Sequence, residues 1–497
     1  VLDFTAALDA ATVEANIYLL DAGGAKVDAS DVYDGAKRVT LKPSAGLNAY
    51  ASYRLIVDSG LKSAAGEAIL TGKVIRIRTG LDTSDKFPQI SDEELLTKVQ
   101  QQTFRYFWEG AEPTSGMARE RTSSGATVTT GGTGFGVMAM TVAAERGFVT
   151  RSEACQRVQR IVTFLAERAT SYHGAFSHWI DGQTGQTLPF SADDNGADLV
   201  ETGLLFQGLL TARAYFDGAD AAESKLRADI TALWEAVEWD FFTKEGTEKV
   251  LYWHWSPDKG WAMNMPIQGW NEALIVYVLA ASSPTHPIGR EVYAEGWARG
   301  GAMRNGKLFY DTVLPLGEDY GGPLFWAQYS FLGLNPRGLS DAYADYWEQV
   351  CNHTRINYAY CVDNPKGYAG YGADCWGLTA SDIPDGYTAS SPTNDRGVIA
   401  PTAALSSMPY TPDESMAALR FFYYKLGDKL WSDYGFIDAF DLTTGWFDRG
   451  MHIAIDQGPI VVMIENYRTG LPWNLFMSDK DVQRGLAELG FTVEAGS

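Results

Sequence analysis

SADDNGADLVETGLLFQGLLTARAYF, residues 191–216, decides how this chain is read. From Leu199 onward it is apolar at helical spacing on nearly every side, which fits a helix buried in a large core. The stretch before it is acidic. Asp194, Asp198 and Glu201 stand four and three residues apart, so on a helix they are predicted to share one face. N-capping and the helix dipole account for one or two such carboxylates. Three, at the mouth of a buried helix, call for partners such as arginines or hydroxyls. Sugar hydroxyls suit ionised carboxylates, each such bond being worth roughly 1.5–3 kcal/mol.

Outward from this helix, the same i, i+3, i+4 periodicity predicts helices over 92–108, 131–147, 151–168, 197–216, 222–239, 267–281, 288–298, 323–332, 340–358, 399–408, 412–427, 457–468 and 480–489. Start signals stand at Ser91, at Ser152 and at Thr411-Pro412. So many helices without a second sheet suggest a toroid of paired helices. The loops 109–130, 169–196, 252–266, 360–398 and 441–456 are long, glycine-rich and too aromatic for disorder. If alternate helices form an inner ring, these loops gather at one rim and build a cleft.

Residues 1–80 differ. VEANIYLLD, KRVTLKP, YASYRLIVD and GKVIRIRTG are short alternating segments separated by Gly/Ala/Ser/Asp turns, the pattern of a small all-β sandwich. Residues 81–91 read as a linker and 92–497 as the helical domain. The sandwich resembles bacterial immunoglobulin-like domains through FTAALDAATV, VTLKPSAGL and YRLIVDSGLKSAAGEAI, and is expected to serve as a spacer or platform.

Forty basic and 62 acidic residues give a net charge of −22, which argues against nucleic acid and anionic membranes as partners. No apolar run of about 18 residues occurs, so no membrane insertion is expected. The start at VLDFTAALDA, without Met or signal peptide, suggests a trimmed chain. Cys155, Cys351, Cys361 and Cys375 form no CxxC, and Cys361 with Cys375 is the first pair to test for a disulfide. The six histidines are scattered without an HExxH pair, so neither metal nor cofactor is expected.

Two further carboxyls stand out. Glu272 in PIQGWNEAL is predicted in the first turn of an apolar helix, flanked by Trp261 and Trp270. Desolvation by indoles would raise its pKa, as a general acid requires; a helix-start charge is the alternative. Asp456 in MHIAIDQGP stands alone among apolar residues before a Gly-Pro helix start. It reads either as a buried N-cap or as a base holding a water. Arg119 and Arg121 in MARER are candidates to neutralise the acidic face. VTTGGTGFG, 128–136, lacks a P-loop lysine and suits tight turns or close backbone approach to a sugar.

GMARER, VTTGGTGFG, HGAFSHW, DLVETGLLFQGLLTAR, LYWHWSP, GWNEALIVYVLAASSPTHPI, YGGPLFWAQYSFLGL, NPKGYAGYGADCWGLTASD, PTAALSSMPYTP and AIDQGPIVVMIENYRTGL together resemble the glucoamylase-like proteins of glycoside hydrolase family 144, the bacterial β-1,2-glucanases. The resemblance spans about residues 92–490. It implies an (α/α)6 barrel, hydrolysis of β-1,2-glucan with inversion, either endo-acting or releasing sophorose from chain ends, and a periplasmic or outer-membrane-associated setting; a monomer is expected separately. Carried over by motif, Glu272 is the implied general acid and Asp456 the implied base, with Asp194, Asp198 and Glu201 on the subsite floor. Trp253, Trp255, Trp261, Trp270, Trp326 and Trp376 are stacking candidates, roughly half of them expected to face the cleft. The rival readings are an α-glucan glucoamylase on the same fold and a non-catalytic glycan-binding protein.

Overall fold

Between residues 92 and 468, six buried helical segments, one of them a pair of 3-10 turns, alternate with six that keep a polar face. They are seen in a computed structural model that describes residues 1–494. The polar-faced set comprises α1 (Asp92–Trp108), α3 (Arg151–Glu167), α5 (Ala221–Glu235), a π-helical turn Val292–Trp297, α7 (Tyr346–Asp363) and α9 (Pro412–Arg420). The buried set comprises α2 (Thr130–Glu145), α4 (Leu199–Tyr215), α6 (Leu274–Ser282), the 3-10 turns Leu324–Ala327 and Tyr329–Leu332, α8 (Pro401–Leu405) and α10 (Ala454–Arg468).

The buried set follows itself around a circuit. α2 packs on α4, α4 on α6, and α6 on the 329–332 turn, where Ser330 Oγ accepts the Ile275 N–H at 3.0 Å. Gln328 Nε2 donates to Ala403 O at 3.0 Å, and Thr402 Oγ1 donates to Asp456 O at 2.7 Å. Those bonds carry the circuit through α8 to α10, which returns to α2. Outside it, α1 packs on α2 and α10, and α3 lies against α2 and α5. The outer helices start as their sequences dictate. Ser91 and Glu94 form a reciprocal capping box on α1. On α3 the box is Thr150 with Glu153, so the cap lies two residues before the Ser152 expected from sequence.

Glycine sets the closest approach in this core. VTTGGTGFG is not a turn: Thr127–Thr129 is a short strand, and the glycines lie inside α2. A Cβ on Gly134 would stand 2.3 Å from Leu204 O, and one on Gly208 would stand 2.1 Å from Gly134 O. Backbone on both sides cannot give way. Gly134→Ala should therefore cost about 1–3 kcal/mol. A thermal melt at the parental temperature would refute this contact as the reason for the glycine.

Several predicted boundaries move. The helix expected over 267–281 begins only at Leu274, 340–358 becomes 346–363, and 457–468 begins at Ala454. All four cysteines are buried free thiols, Cys361 and Cys375 included. Among the described residues no helix is long and apolar enough to cross a membrane. Helices α11 (Leu471–Met477) and α12 (Lys480–Leu489) follow α10.

Residues 1–84 belong to a separate unit that also takes in 367–370 and 440–446. Its strands β1 (Leu2–Asp3), β2 (Ile17–Leu20), β3 (Ala29–Tyr33), β4 (Arg38–Pro43), β5 (Ser52–Val57) and β6 (Lys73–Arg78) form two antiparallel sheets, β1-β4-β3 and β2-β5-β6. Alternation sets the register. Ile17 pairs with Val57 and Leu19 with Leu55, so that buried faces buried across the ladder.

Candidate active site

The N-terminal ends of the buried helices converge on one cavity of about 410 Å³. Thr129 precedes α2, Asp198 caps α4, Glu201 lies in its first turn, Glu272 stands just before α6, Phe325 opens the 3-10 turns, and Ile453 and Ile455 open α10; all line the cavity. Helix N-termini favour negative charge, which is the local reason for carboxylates here. All five long loops contribute to the walls: Glu120 and Arg121, His178, Trp179 and Phe190, Trp253, Ala380, Tyr387 and Ala389, and the 441–456 loop through Ile453.

The acidic stretch has a different geometry from a shared helical face. Only Glu201 is helical. Asp198 is the N-cap of α4, its Oδ1 accepting the N–H groups of Val200 and Glu201 at 2.9 Å each, and Asp194 lies in the loop before it. Their partners are neither arginines nor an empty face awaiting sugar. His178 Nδ1 lies 3.2 Å from Asp198 Oδ2 and its Nε2 3.9 Å from Glu201 Oε1. His254 Nε2 lies 3.2 Å from Asp194 and 3.5 Å from Asp198. Pairing of Ala197–Asp198 with His254–Trp255 as two short antiparallel strands puts Asp198 directly across from His254. Two histidines that looked scattered in sequence thus pair with the buried carboxylates of Asp194 and Asp198, and His178 also faces Glu201.

Each group titrates accordingly. Burial alone would lower the histidines, but the carboxylates around them win. His178 is raised to about 9, chiefly by Glu201 and Asp198, and His254 to about 10 by Asp194 and Asp198. Burial would raise Asp198, yet its two histidines hold it below the usual carboxylate range. Glu201 is raised, by burial first and then by Asp198, although the Gly131 N–H donates to its Oε2 at 2.6 Å.

A stability consequence follows. A histidine raised on folding from about 6.5 stabilises the fold fully below that pH and loses the contribution as pH climbs through the folded value. The melting temperature should fall between about pH 6.5 and the folded values of about 9 and about 10. A flat melting profile across that window would contradict the pairing.

Glu272 sits in the bend before α6 rather than in its first turn. Burial, and then the charges of Asp198 and Glu201, raise it to about 7. Its aromatic neighbours differ from those expected. Trp270 is buried in the core, its indole N–H donating to His353 Nδ1 at 3.3 Å, and neither it nor Trp261 lines the cavity. Trp376 is buried and donates to Glu414 O, while Trp255 packs against His173 and Phe241. Of the six tryptophans singled out in sequence, Trp253 lines the cavity. The other ring-bearing walls are Trp179, Phe190, Phe325, Tyr329 and Tyr387.

Asp456 is the third residue of α10, behind the Ile453 and Ile455 wall, and is 1% exposed. Its charge bears on Tyr329 and Tyr387, and that of Glu272 bears on Tyr329 as well. Asp456 is pushed well up, first by burial and then by Asp438. Arg121 binds Glu120 at 2.9 Å and both oxygens of Asp382 at 3.0 and 2.8 Å; it serves this second acidic group and not the first. Arg119 serves neither, donating to the carbonyls of Gly125 and Gly110 away from the cavity wall. Two acid clusters, His178/Asp194/Asp198 and Asp382/Asp438/Asp448, are close-set enough to invite a cation. In the first the histidines occupy the carboxylates; in the second Arg121 holds both oxygens of Asp382.

The sequence profile described as "Putative glucoamylase" matches residues 264–480, and that described as "Bacterial Ig-like domain" matches 1–76. An endo-β-1,2-glucanase of Chitinophaga pinensis, solved with sophorotriose and glucose, is 51% identical with a TM-score of 0.79, over 81% of this chain and 99% of that one. The chain belongs to this glucoamylase-like family, glycoside hydrolase family 144. A family member from Bacteroides uniformis is 58% identical with a TM-score of 0.80, over 82% of this chain and 99% of that one. A relative from Parabacteroides distasonis, named exo β-1,2-glucooligosaccharide sophorohydrolase (non-reducing end), is 48% identical over 80% of this chain. The chain spans 58% of that relative's length.

Proposed function

We propose that this family 144 member is a glycoside hydrolase that cleaves β-1,2-glucosidic bonds with inversion. The alternation of a buried circuit with an outer layer supports reading the helical unit as an (α/α)6 toroid whose open end holds the substrate. Glu272 protonates the departing glycosidic oxygen. Asp456, as carboxylate, takes a proton from water approaching the opposite face of the sugar. Because Asp456 stands behind the cavity wall, a water or a substrate hydroxyl relays that proton. Asp198, Glu201 and His178 bind sugar hydroxyls at the floor, and Asp194 with His254, which do not line the cavity, hold Asp198 in place. A periplasmic or outer-membrane setting belongs to the same reading.

One observation carries the proposal: Glu272 meets the cavity with its carboxyl raised to about 7, so a large share of it keeps its proton at neutral pH beside the carboxylates and histidine of the floor. The test is incubation with linear β-1,2-glucan and with starch, with products resolved by size and the new anomeric centre followed by NMR. Cleavage of β-1,2-glucan to the α-anomer is expected. Cleavage of starch alone would replace the proposal with a glucoamylase, and no turnover of either would leave a glycan-binding protein.

A further inference from the structure

Tyr329, which opens the 3-10 turn Tyr329–Leu332, is 3% exposed and lines the cavity. Its hydroxyl makes no hydrogen bond to any described residue, yet it is not sealed into the packing; what remains accessible on this side chain meets the cavity. Comparably buried tyrosines spend the same group on the protein. Tyr106 donates to Arg119 O at 2.7 Å, Tyr277 to Ile267 O at 2.8 Å and Tyr410 to Ala327 O at 2.9 Å. Buried polar groups are ordinarily paired, so an exception on a cavity wall calls for a partner that arrives from outside.

The turn is fixed from several sides. Gln207 Nε2 of α4 donates to Tyr329 O at 2.9 Å, and the ring packs on Phe135 and on Phe325, each at 5.1 Å between centroids. Its two neighbours in sequence tie it to the acid and to the base. Ser330 Oγ donates to Glu272 O, while Gln328 Nε2 donates to Ala403 O at 3.0 Å in α8, whose Thr402 Oγ1 donates to Asp456 O at 2.7 Å. The phenol is thus held in register with the backbone of both carboxyls. Glu120, Asp198 and Glu201 make the surrounding wall rich in acceptors, and several of its donors are already spent. Arg121 serves Glu120 and Asp382, His178 serves Asp198, and Thr129 Oγ1 donates to Glu201 Oε2 at 3.2 Å.

Resting on the hydrolase reading, we propose that Tyr329 is a further catalytic residue, whose hydroxyl donates a hydrogen bond to a hydroxyl of the glucose unit at the scissile bond. A sugar hydroxyl both donates and accepts: carboxylates of the floor take the first bond and the phenol supplies the second. The bond holds the reacting ring; no proton is transferred through it. Burial, and then Asp456, Tyr387, Glu272 and Asp438, push the phenol's pKa far above its ordinary value, so it stays a donor throughout the range in which the acid works.

Tyr329→Phe removes one oxygen and keeps the contacts with Phe135 and Phe325. That oxygen has no partner in the free protein, so the melting temperature should stay at the parental value. Steady-state kinetics on linear β-1,2-glucan should show kcat lowered by about 5–100-fold with KM little changed. A smaller loss of kcat would overturn the proposal. So would a loss carried by KM alone, which moves the hydroxyl's partner to a neighbouring sugar unit, or a loss accompanied by a fall in melting temperature, which makes Tyr329 a packing residue. Failure of the underlying reading is separate: the parent itself would then turn over no β-1,2-glucan, whatever stands at position 329.

Discussion

Glu272→Gln is expected to lower kcat on β-1,2-glucan by about 10²–10⁴-fold while leaving glucan binding in place. Gln keeps the size and the hydrogen-bonding reach of the protonated acid, so the cavity wall is preserved. What it loses is a proton that can move to the leaving oxygen. The pH dependence has a fixed sign. A general acid works in its protonated form, so activity should fall as pH rises through about 7, the value to which burial, Asp198 and Glu201 lift Glu272. In the variant that limb should vanish along with most of the rate. An aryl glycoside whose phenolate departs without protonation should be spared most of the loss. A variant that turns over polymer within tenfold of the parent, on the same alkaline limb, would remove Glu272 from the acid role.

The periodicity that builds the helical layers was legible because burial leaves a direct record in apolar spacing. The stretches 92–108 and 412–420 show it, with Ser91 and Pro412 at their starts. The carboxyls of the site were legible for a related reason: Asp198, Glu201, Glu272 and Asp456 interrupt otherwise apolar surroundings. Their arrangement was not. A spacing of four and three suggested one helical face, but Asp198 caps the helix, and the chain before a cap is extended. The histidines that pair with the group come from elements far away in sequence, and only the pairing of 197–198 with 254–255 brings one of them to Asp198. The placement of His178 in HGAFSHW and His254 in LYWHW, each beside a tryptophan, was the available signal. Tryptophans could not be sorted between core and cavity, since an indole fits either, and Trp270 and Trp376 went to the core.

Asp456→Asn should be about as damaging as loss of the acid, for the complementary reason. In an inverting reaction the attacking water must give up its proton as the new bond to the anomeric carbon forms, and an amide cannot take it. The expected loss is about 10²–10⁴-fold in kcat. KM should change little, since Asp456 lies behind Ile453 and Ile455 rather than in the wall itself. That position separates the kinetic effect from a folding effect. Asn at 456 keeps the size of the aspartate and removes only a buried, desolvated carboxyl, so the variant should melt at or above the parental temperature while turning over far more slowly. A loss of activity accompanied by a large fall in melting temperature would make Asp456 a structural residue of the first turn of α10. Parental activity in a well-folded Asp456→Asn would move the base to another carboxyl, and Asp382, bound to Arg121 beside Tyr387, would be the next to substitute.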